Sequence, residues 1–168
     1  INTSFPEKLY VPGNHQGWNP ATAPVLNGDT EGHYEGFVHL TDIFKFTSAP
    51  DWNHTNYGGS FAALDTDPGA GNLAVDAPGY YYLKVDLTNM SATATLIDRV
   101  GVIGSFTGWG EDVAMTYTAE TNLWTATGLA FPAGTEYKFR MNNGWDINFG
   151  GDPNDLKQDG ANLKADAG

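Results

Sequence analysis

A set of four residues occurs twice along the chain, in the same order and at similar spacing. They are a tryptophan after a glycine-flanked turn, a lysine in an alternating strand pattern, a second tryptophan in the next loop and a later asparagine. The first set is Trp18, Lys45, Trp52 and Asn72, and the second set is Trp109, Lys138, Trp145 and Asn162. The lysine and the second tryptophan are seven residues apart in both sets. Repetition of the whole set predicts one kind of site that is present twice.

Indole, ammonium and amide groups together suit the recognition of a neutral sugar. The apolar C–H faces of a pyranose ring lie flat on an indole, while the sugar hydroxyls need donors and acceptors around the rim. A lysine ammonium offers donors only, whereas an asparagine amide offers both a donor and an acceptor. Two indoles set at an angle would fit a curved chain such as an α-glucan better than a flat ribbon such as cellulose.

Each candidate also has a structural interpretation. A tryptophan in a β protein is often a core residue, although glycine-flanked turns and loops rich in Asn, Asp and Gly favour exposure here. The lysines could be solvated strand residues that oppose aggregation, and the asparagines could form turns before strands. Trp124, in the alternating LWTATGL, is expected to pack a sheet, and Arg140 is expected to be a solvated charge rather than a ligand.

Composition and charge exclude several classes of partner. The chain has 168 residues, no cysteine, 20 acidic and 8 basic residues, and a net charge of −12. Such a charge repels nucleic acid and anionic membrane surfaces, so we expect no nucleic-acid partner. No stretch approaches the roughly 20 apolar residues of a membrane span, so this segment is not expected to insert into a membrane. The opening INTSFPEKLY lacks the pattern of a signal peptide.

The repeat extends well beyond the two sets of four residues. LYVPGNHQGW matches GVIGSFTGW, IFKFTSAPDWNHTNYGG matches EYKFRMNNGWDINFGG, and AGNLAVDAPG matches GANLKADAG. After Gly79 the first copy continues with two alternating runs around a turn at 88–90, which predicts a β-hairpin. The second copy reaches Gly168, where its hairpin would begin. We therefore predict a first module at 1–99 and a second module, lacking its last hairpin, at 100–168.

The strand pattern within each copy predicts the fold class. In IFKFT, Phe44 and Phe46 share one face and Lys45 and Thr47 the other, because side chains on a strand alternate between faces. In EYKFRM, apolar side chains alternate in the same way with lysine and arginine. Short strands of this kind, with no helical period anywhere, predict an all-β fold of tandem immunoglobulin-like β-sandwiches.

The sequence offers little for catalysis or metal binding. Glycoside hydrolysis needs two carboxylates across a cleft, and no acid accompanies the tryptophans in both copies, so we expect no enzyme, no catalytic residue and no cofactor. All four histidines lie in the first copy, which disfavours a repeated metal site: His15, His33, His39 and His54. Asp-rich loops leave a structural calcium open. A structural spacer or protein-interaction role is the main alternative, and it predicts buried tryptophans.

Longer stretches of the chain resemble known families. YVPGNHQGW, FKFTSAPDWNHTNYGG and GNLAVDAPGYYYLKVDL resemble the C-terminal tandem modules of SusE/SusF-type proteins, surface starch-binding lipoproteins of Bacteroidetes polysaccharide-utilisation systems. The resemblance covers nearly the whole chain. Separately, GSFTGW, YKFRMNNGW and the later NL resemble glycogen-binding modules, in which two tryptophans, a lysine and an asparagine bind an α-glucan. That resemblance implies the same roles for both sets of four residues.

The resemblance also implies a location and partners. It implies a non-catalytic, cell-surface protein of the outer membrane that binds starch or another α-1,4-glucan, held by an N-terminal lipid anchor that this sequence does not include. Other outer-membrane glycan-uptake components are implied as further partners. Relatives serve other polysaccharides, so a different neutral glycan remains an alternative. The second tryptophan and the asparagine are 20 residues apart in the first copy and 17 in the second, so Asn72 is expected to be held differently from Asn162.

Overall fold

Short antiparallel strands make up the ordered framework of the chain. A computed structural model describes residues 5–166. Within this range the strands are joined by turns and by three short 3-10 helices, and there is no α-helix. The chain packs as two units, Ile1–Leu96 and Ile97–Gly168. No helix within residues 5–166 is long and apolar enough to cross a membrane.

The first unit contains ten strands within residues 5–96. They are β1 Lys8–Tyr10, β2 Val25–Gly28, β3 His33–Leu40, β4 Ile43–Phe44, β5 Phe46–Thr47, β6 Asn56–Gly59, β7 Leu64–Asp65, β8 Leu73–Ala74, β9 Gly79–Asp86 and β10 Ser91–Leu96. Eight of them form one antiparallel sheet in the order β10-β9-β3-β2-β1-β5-β6-β7, while β4 pairs with β8. The predicted hairpin after Gly79 is confirmed as β9 and β10, which pair from Ser91 opposite Asp86 to Leu96 opposite Tyr81.

The core of the first unit follows from the alternation of apolar residues. Phe44 and Phe46 are fully buried, and their rings meet edge to face with centroids 5.5 Å apart. The long strands β3 and β9 add inward-facing residues such as Val38 and Leu83 to the same cluster. Burial of these side chains, at roughly 25 cal/mol per Å² of apolar surface, stabilises a chain that has no disulfide.

The second unit contains eight strands within residues 97–166. They are β11 Val100–Gly104, β12 Val113–Ala114, β13 Thr116–Thr118, β14 Leu123–Thr125, β15 Glu136–Met141, β16 Asn148–Asp152, β17 Asp155–Gln158 and β18 Leu163–Lys164. One sheet has the order β12-β11-β15-β16-β17, with β18 also paired to β15, and β13 pairs with β14. Trp124 lies in β14, as predicted, and its ring is 5.2 Å from that of Tyr117. The predicted all-β, immunoglobulin-like sandwich fold is confirmed.

Two polar residues on predicted outer faces are buried instead. Thr47 is fully buried, and its hydroxyl is satisfied there because it donates to the carbonyl of Ala49 at 2.8 Å. Arg140 is 7% exposed because it is paired with a buried carboxylate at Asp112. The prediction that Arg140 is a solvated charge is therefore wrong.

Candidate functional site

The structure brings the predicted tryptophans together as two matching pairs. The ring centroids of Trp18 and Trp52 are 6.3 Å apart with an angle of 34° between the ring planes. Those of Trp109 and Trp145 are also 6.3 Å apart, with an angle of 37°. We call these the first and the second indole pair. Two separate stretches of sequence thus produce one tilted arrangement of rings.

The leading tryptophan of the first pair is held by a tight glycine turn. A side chain at Gly13 would lie 2.6 Å from the carbonyl oxygen of Ile43, so only glycine fits there. A 3-10 turn over Asn14–Gln16 follows, and Gly17 then has φ 80° and Trp18 φ 60°. The turn closes when the backbone N–H of Trp18 donates to the carbonyl of Gly13 at 3.0 Å.

The second unit contains the same kind of turn. Gly104 leaves no room for a side chain, the 3-10 turn covers Ser105–Thr107, and Gly108 and Trp109 have φ 65° and 60°. A left-handed backbone costs a bulky residue about 1 to 3 kcal/mol and persists where its surroundings fix it. The same strained conformation at both leading tryptophans indicates that their direction matters more than local stability.

A polar chain orients the indole of Trp18. Its Nε1–H donates to the Asn14 side-chain oxygen at 2.6 Å, and the Asn14 amide donates to Asp42 at 2.9 Å. The backbone N–H of Ile43, followed by the Asn14 amide, lowers the pKa of Asp42, so this carboxylate is ionised near neutral pH. Ser105 takes the place of Asn14 in the second unit, and its hydroxyl bonds to the backbone of β15.

The second tryptophan of each pair projects from a loop that an asparagine ties down. The Asn56 amide donates to the carbonyl of Trp52 at 3.1 Å, and the Asn148 amide donates to that of Trp145 at 2.8 Å. Trp52 and Trp145 are 41% and 45% exposed, whereas the leading tryptophans are half-buried. These two asparagines are not among the predicted site residues. Their signal is the repeated Asn-aromatic-Gly-Gly of NYGG and NFGG.

Both predicted lysines lie across a glycine. The Lys45 stem passes over Gly58, where an added Cβ would lie 3.1 Å from its Cε, and its ammonium donates to the carbonyl of Ala70 at 2.9 Å. Lys138 passes over Gly150 in the same way, 3.0 Å from the position of such a Cβ. Both lysines are half-buried, so neither is a fully solvated strand residue.

Each predicted asparagine directly follows a residue whose backbone carbonyl bonds to the neighbour of the glycine beneath the lysine. The carbonyl of Gly71 accepts from the N–H of Gly59 at 2.8 Å and is followed directly by Asn72, and the same backbone bond recurs in the second unit at 2.7 Å. Both asparagines are exposed. The Asn162 amide donates to the Glu136 carboxylate at 3.0 Å. Each lysine and the residue before each asparagine therefore contact the same glycine pair.

The structure shows the surroundings of His15 and of the loop aspartates. His15 is half-buried, and burial lowers its pKa although its Nε2 lies 2.8 Å from the carbonyl of Val11, so it is not a surface histidine. Within residues 5–166, no three His, Asp or Glu side chains are grouped so that they could hold a metal ion. Several loop aspartates accept from nearby backbone N–H groups instead, as Asp65 does from Asp67 at 2.9 Å.

A carbohydrate-binding family matches the second half of the chain. Residues 83–163 match the family model of carbohydrate-binding module 48, the isoamylase N-terminal domain. The match includes all four predicted site residues of the second unit and begins within the β9–β10 hairpin of the first. It supports a carbohydrate-binding module in this part of the chain. No curated protein matches the chain.

One solved structure is similar over nearly the whole chain. It is SusF from Bacteroides thetaiotaomicron, with 19% sequence identity and a TM-score of 0.45. The similarity covers 99% of this chain and 48% of that one. The chain therefore spans about half the length of this similar protein.

Proposed function

We propose that the protein binds a polysaccharide without cleaving it, and that starch or another α-1,4-glucan is its ligand. The observation that carries this proposal is the duplicated indole pair, with one ring separation and nearly one tilt in both units. A lone exposed tryptophan needs no functional explanation, but two pairs with the same strained turn and the same geometry do.

The tilt favours a curved glycan. Rings inclined by 34° and 37° present two faces that are not coplanar, so successive sugars that stack on them must turn relative to one another. An α-1,4-glucan curves in this way, whereas a β-1,4-glucan is flat. Another neutral glycan with a similar bend would satisfy the same geometry, and it remains the alternative ligand.

We assign the lysines and asparagines to the sugar hydroxyls. An ammonium group has three N–H donors. One donor of the Lys45 ammonium bonds to the carbonyl of Ala70. The Asn72 amide is exposed and offers both a donor and an acceptor. In the second unit Glu136 takes one amide hydrogen of Asn162, which fixes the orientation of that amide.

The acidic groups around the sites support binding over hydrolysis. A general acid in a glycosidase needs a raised pKa. The pKa of Asp42 is lowered by the N–H of Ile43 and by the Asn14 amide, and that of Asp112 also lies below its ordinary value. Both groups are therefore carboxylates near neutral pH, engaged with protein partners.

Affinity electrophoresis tests the proposal. Native gels would contain amylopectin, glycogen, dextran, a β-glucan or a fructan, and we expect retardation in the α-1,4-glucan gels. The double variant Trp18→Ala plus Trp109→Ala should lose it, because each stacked ring contributes roughly 1 to 3 kcal/mol. Trp124→Phe is the matched control and should keep it.

Other results would redirect the assignment. Retardation in a different gel would keep the binding role and change the glycan. Unchanged migration of the folded native protein in every gel would refute glycan binding and favour a spacer or protein-interaction role. The cell-surface location, the lipid anchor and the glycan-uptake partners rest on the sequence resemblance. Accessibility of the protein to protease on intact cells would test that location.

A further inference from the structure

The second unit carries a buried charge network that has no counterpart within residues 5–96. Arg140 lies on β15 and is 7% exposed, and its Nε donates to Asp112 at 2.8 Å. Arg99 pairs with the other oxygen of the same carboxylate. The corresponding residue of the first unit is Thr47, which is uncharged and fully buried. The two copies therefore differ at this buried position, which holds a paired charge in the second unit and a neutral hydroxyl in the first.

One buried carboxylate is shared by two guanidinium groups in this network. None of the Asp112 side chain is exposed. Burial raises the pKa of Asp112, but hydrogen bonds from Arg140 and Arg99, with their charges, outweigh burial and hold that pKa below its ordinary value. The carboxylate is thus ionised near neutral pH and fixes the guanidinium of Arg140, because an unpaired charge in this place would be costly.

Arg140 reaches the second indole pair from this anchored position. Its guanidinium carbon lies 5.3 Å from the ring centroid of Trp145. Its Nη2 also donates to the side-chain oxygen of Asn143 at 3.2 Å. Asn143 has φ 57° and lies two residues before Trp145, so one guanidinium contacts both the indole and the turn that carries it. A planar guanidinium over an indole face is a favourable contact, and lysine does not reproduce it.

We propose that Arg140 is a positioning residue for glycan binding by the second unit: anchored on Asp112, it sets the orientation of the Trp145 indole. This inference depends on the proposed function and adds that the two sites are held by different means. The affinity of the second site depends on the buried charge network, and that of the first site does not.

The test isolates the second site. The parent protein carries Trp18→Ala and Trp52→Ala, which remove the first indole pair, and calorimetry with a maltooligosaccharide measures its Kd. Arg140→Lys keeps a positive charge beside Asp112 but loses the planar contact, and we expect a Kd about three- to tenfold weaker. The same change made together with Trp145→Ala should add no further loss, since the ring that Arg140 orients is then absent. Lys157→Gln, which breaks an exposed ion pair of the same unit, should leave Kd unchanged.

The outcomes separate this inference from the proposed function. A parent that binds no glycan refutes the second site and the role of Arg140 together. A parent that binds, and whose Kd is unchanged by Arg140→Lys, refutes the role of Arg140 alone, as does an equal loss with and without Trp145. Asn143→Gly replaces Arg140→Lys if the latter unfolds. Asn143→Gly retains the left-handed turn and removes one hydrogen-bond partner of Arg140. A loss of affinity smaller than that expected for Arg140→Lys supports the inference, and an unchanged Kd refutes it.

Discussion

Replacement of Gly58 by alanine should damage the first site through the contact between Lys45 and the glycine pair. A Cβ at Gly58 would press on the carbonyl oxygen of Gly71 and would lie 3.1 Å from Cε and 3.4 Å from Nζ of Lys45. The carbonyl belongs to a segment held by its own backbone bond to Gly59, so it cannot move away alone. Relief of this clash therefore moves the whole segment at 70–71, which includes the Ala70 carbonyl that accepts from Lys45, so the ammonium leaves its position.

The size of both effects can be worked from these contacts. Overpacking of this kind costs about 1 to 3 kcal/mol, which corresponds to a fall in Tm of about 4 to 20 °C for a unit of this size. A displaced ammonium loses one charge-assisted hydrogen bond to the sugar, about 1.5 kcal/mol or roughly tenfold in Kd. Gly58→Ala should thus lower both stability and affinity.

Gly71→Ala is a matched control from the same contact. A Cβ at Gly71 meets no atom within 4 Å, and the second unit already has Ala161 at the corresponding place. In a protein that lacks the second indole pair, calorimetry gives Kd and thermal unfolding gives Tm. If Gly58→Ala behaved like Gly71→Ala in both measurements, the lysine would not be held by the glycine and our account of this site would be wrong.

Three further predictions concern the two sites and the first unit. Asn14→Ala should weaken glycan binding by the first site about threefold, since the Trp18 indole loses its hydrogen-bonded partner, whereas Ser105→Ala should leave the second site unchanged; equal effects would contradict this. His15 should lower the stability of the first unit as the pH falls below about 6.5, because its lowered pKa makes the unfolded chain bind the proton first. Thermal unfolding of His15→Gln should show a smaller loss over the same range, and an identical loss would refute a contribution from His15. Long α-glucans should bind about tenfold or more tightly than short oligosaccharides when both sites are intact; equal affinities in calorimetry would show that no polymer occupies both.

The sequence predicts the strands and the repeated residues because both depend on local order. Alternation identifies Phe44 and Phe46 as core residues, and the repeat aligns the two indole pairs before any coordinates are known. The burial of Arg140 cannot be predicted in this way. Alternation assigns a face to a residue, whereas burial of a charge depends on a partner, and Asp112 lies 28 residues earlier in the chain.

The hydrogen bonds from Asn56 and Asn148 to the tryptophan loops could not be predicted, for a different reason. Asn56 and Asn148 act on the backbone of a tryptophan three or four residues earlier, and a turn-forming asparagine has the same local sequence signature. Only the repeat distinguishes them, through the paired motifs NYGG and NFGG. A repeated motif therefore contains information about support as well as about contact residues.

The two copies keep the geometry of the rings while they change the means of holding them. In the first unit a neutral amide and an exposed carboxylate brace the leading tryptophan, through Asn14 and Asp42. In the second unit a buried guanidinium braces the other tryptophan, through Arg140 and Asp112. The ring separation is nevertheless 6.3 Å in both, and the tilts differ by 3° (37° less 34°). If the rings were only packing elements, different supports would be expected to give different ring geometries. The arrangement of the rings is thus the property that both units share, as a surface fitted to one kind of ligand requires.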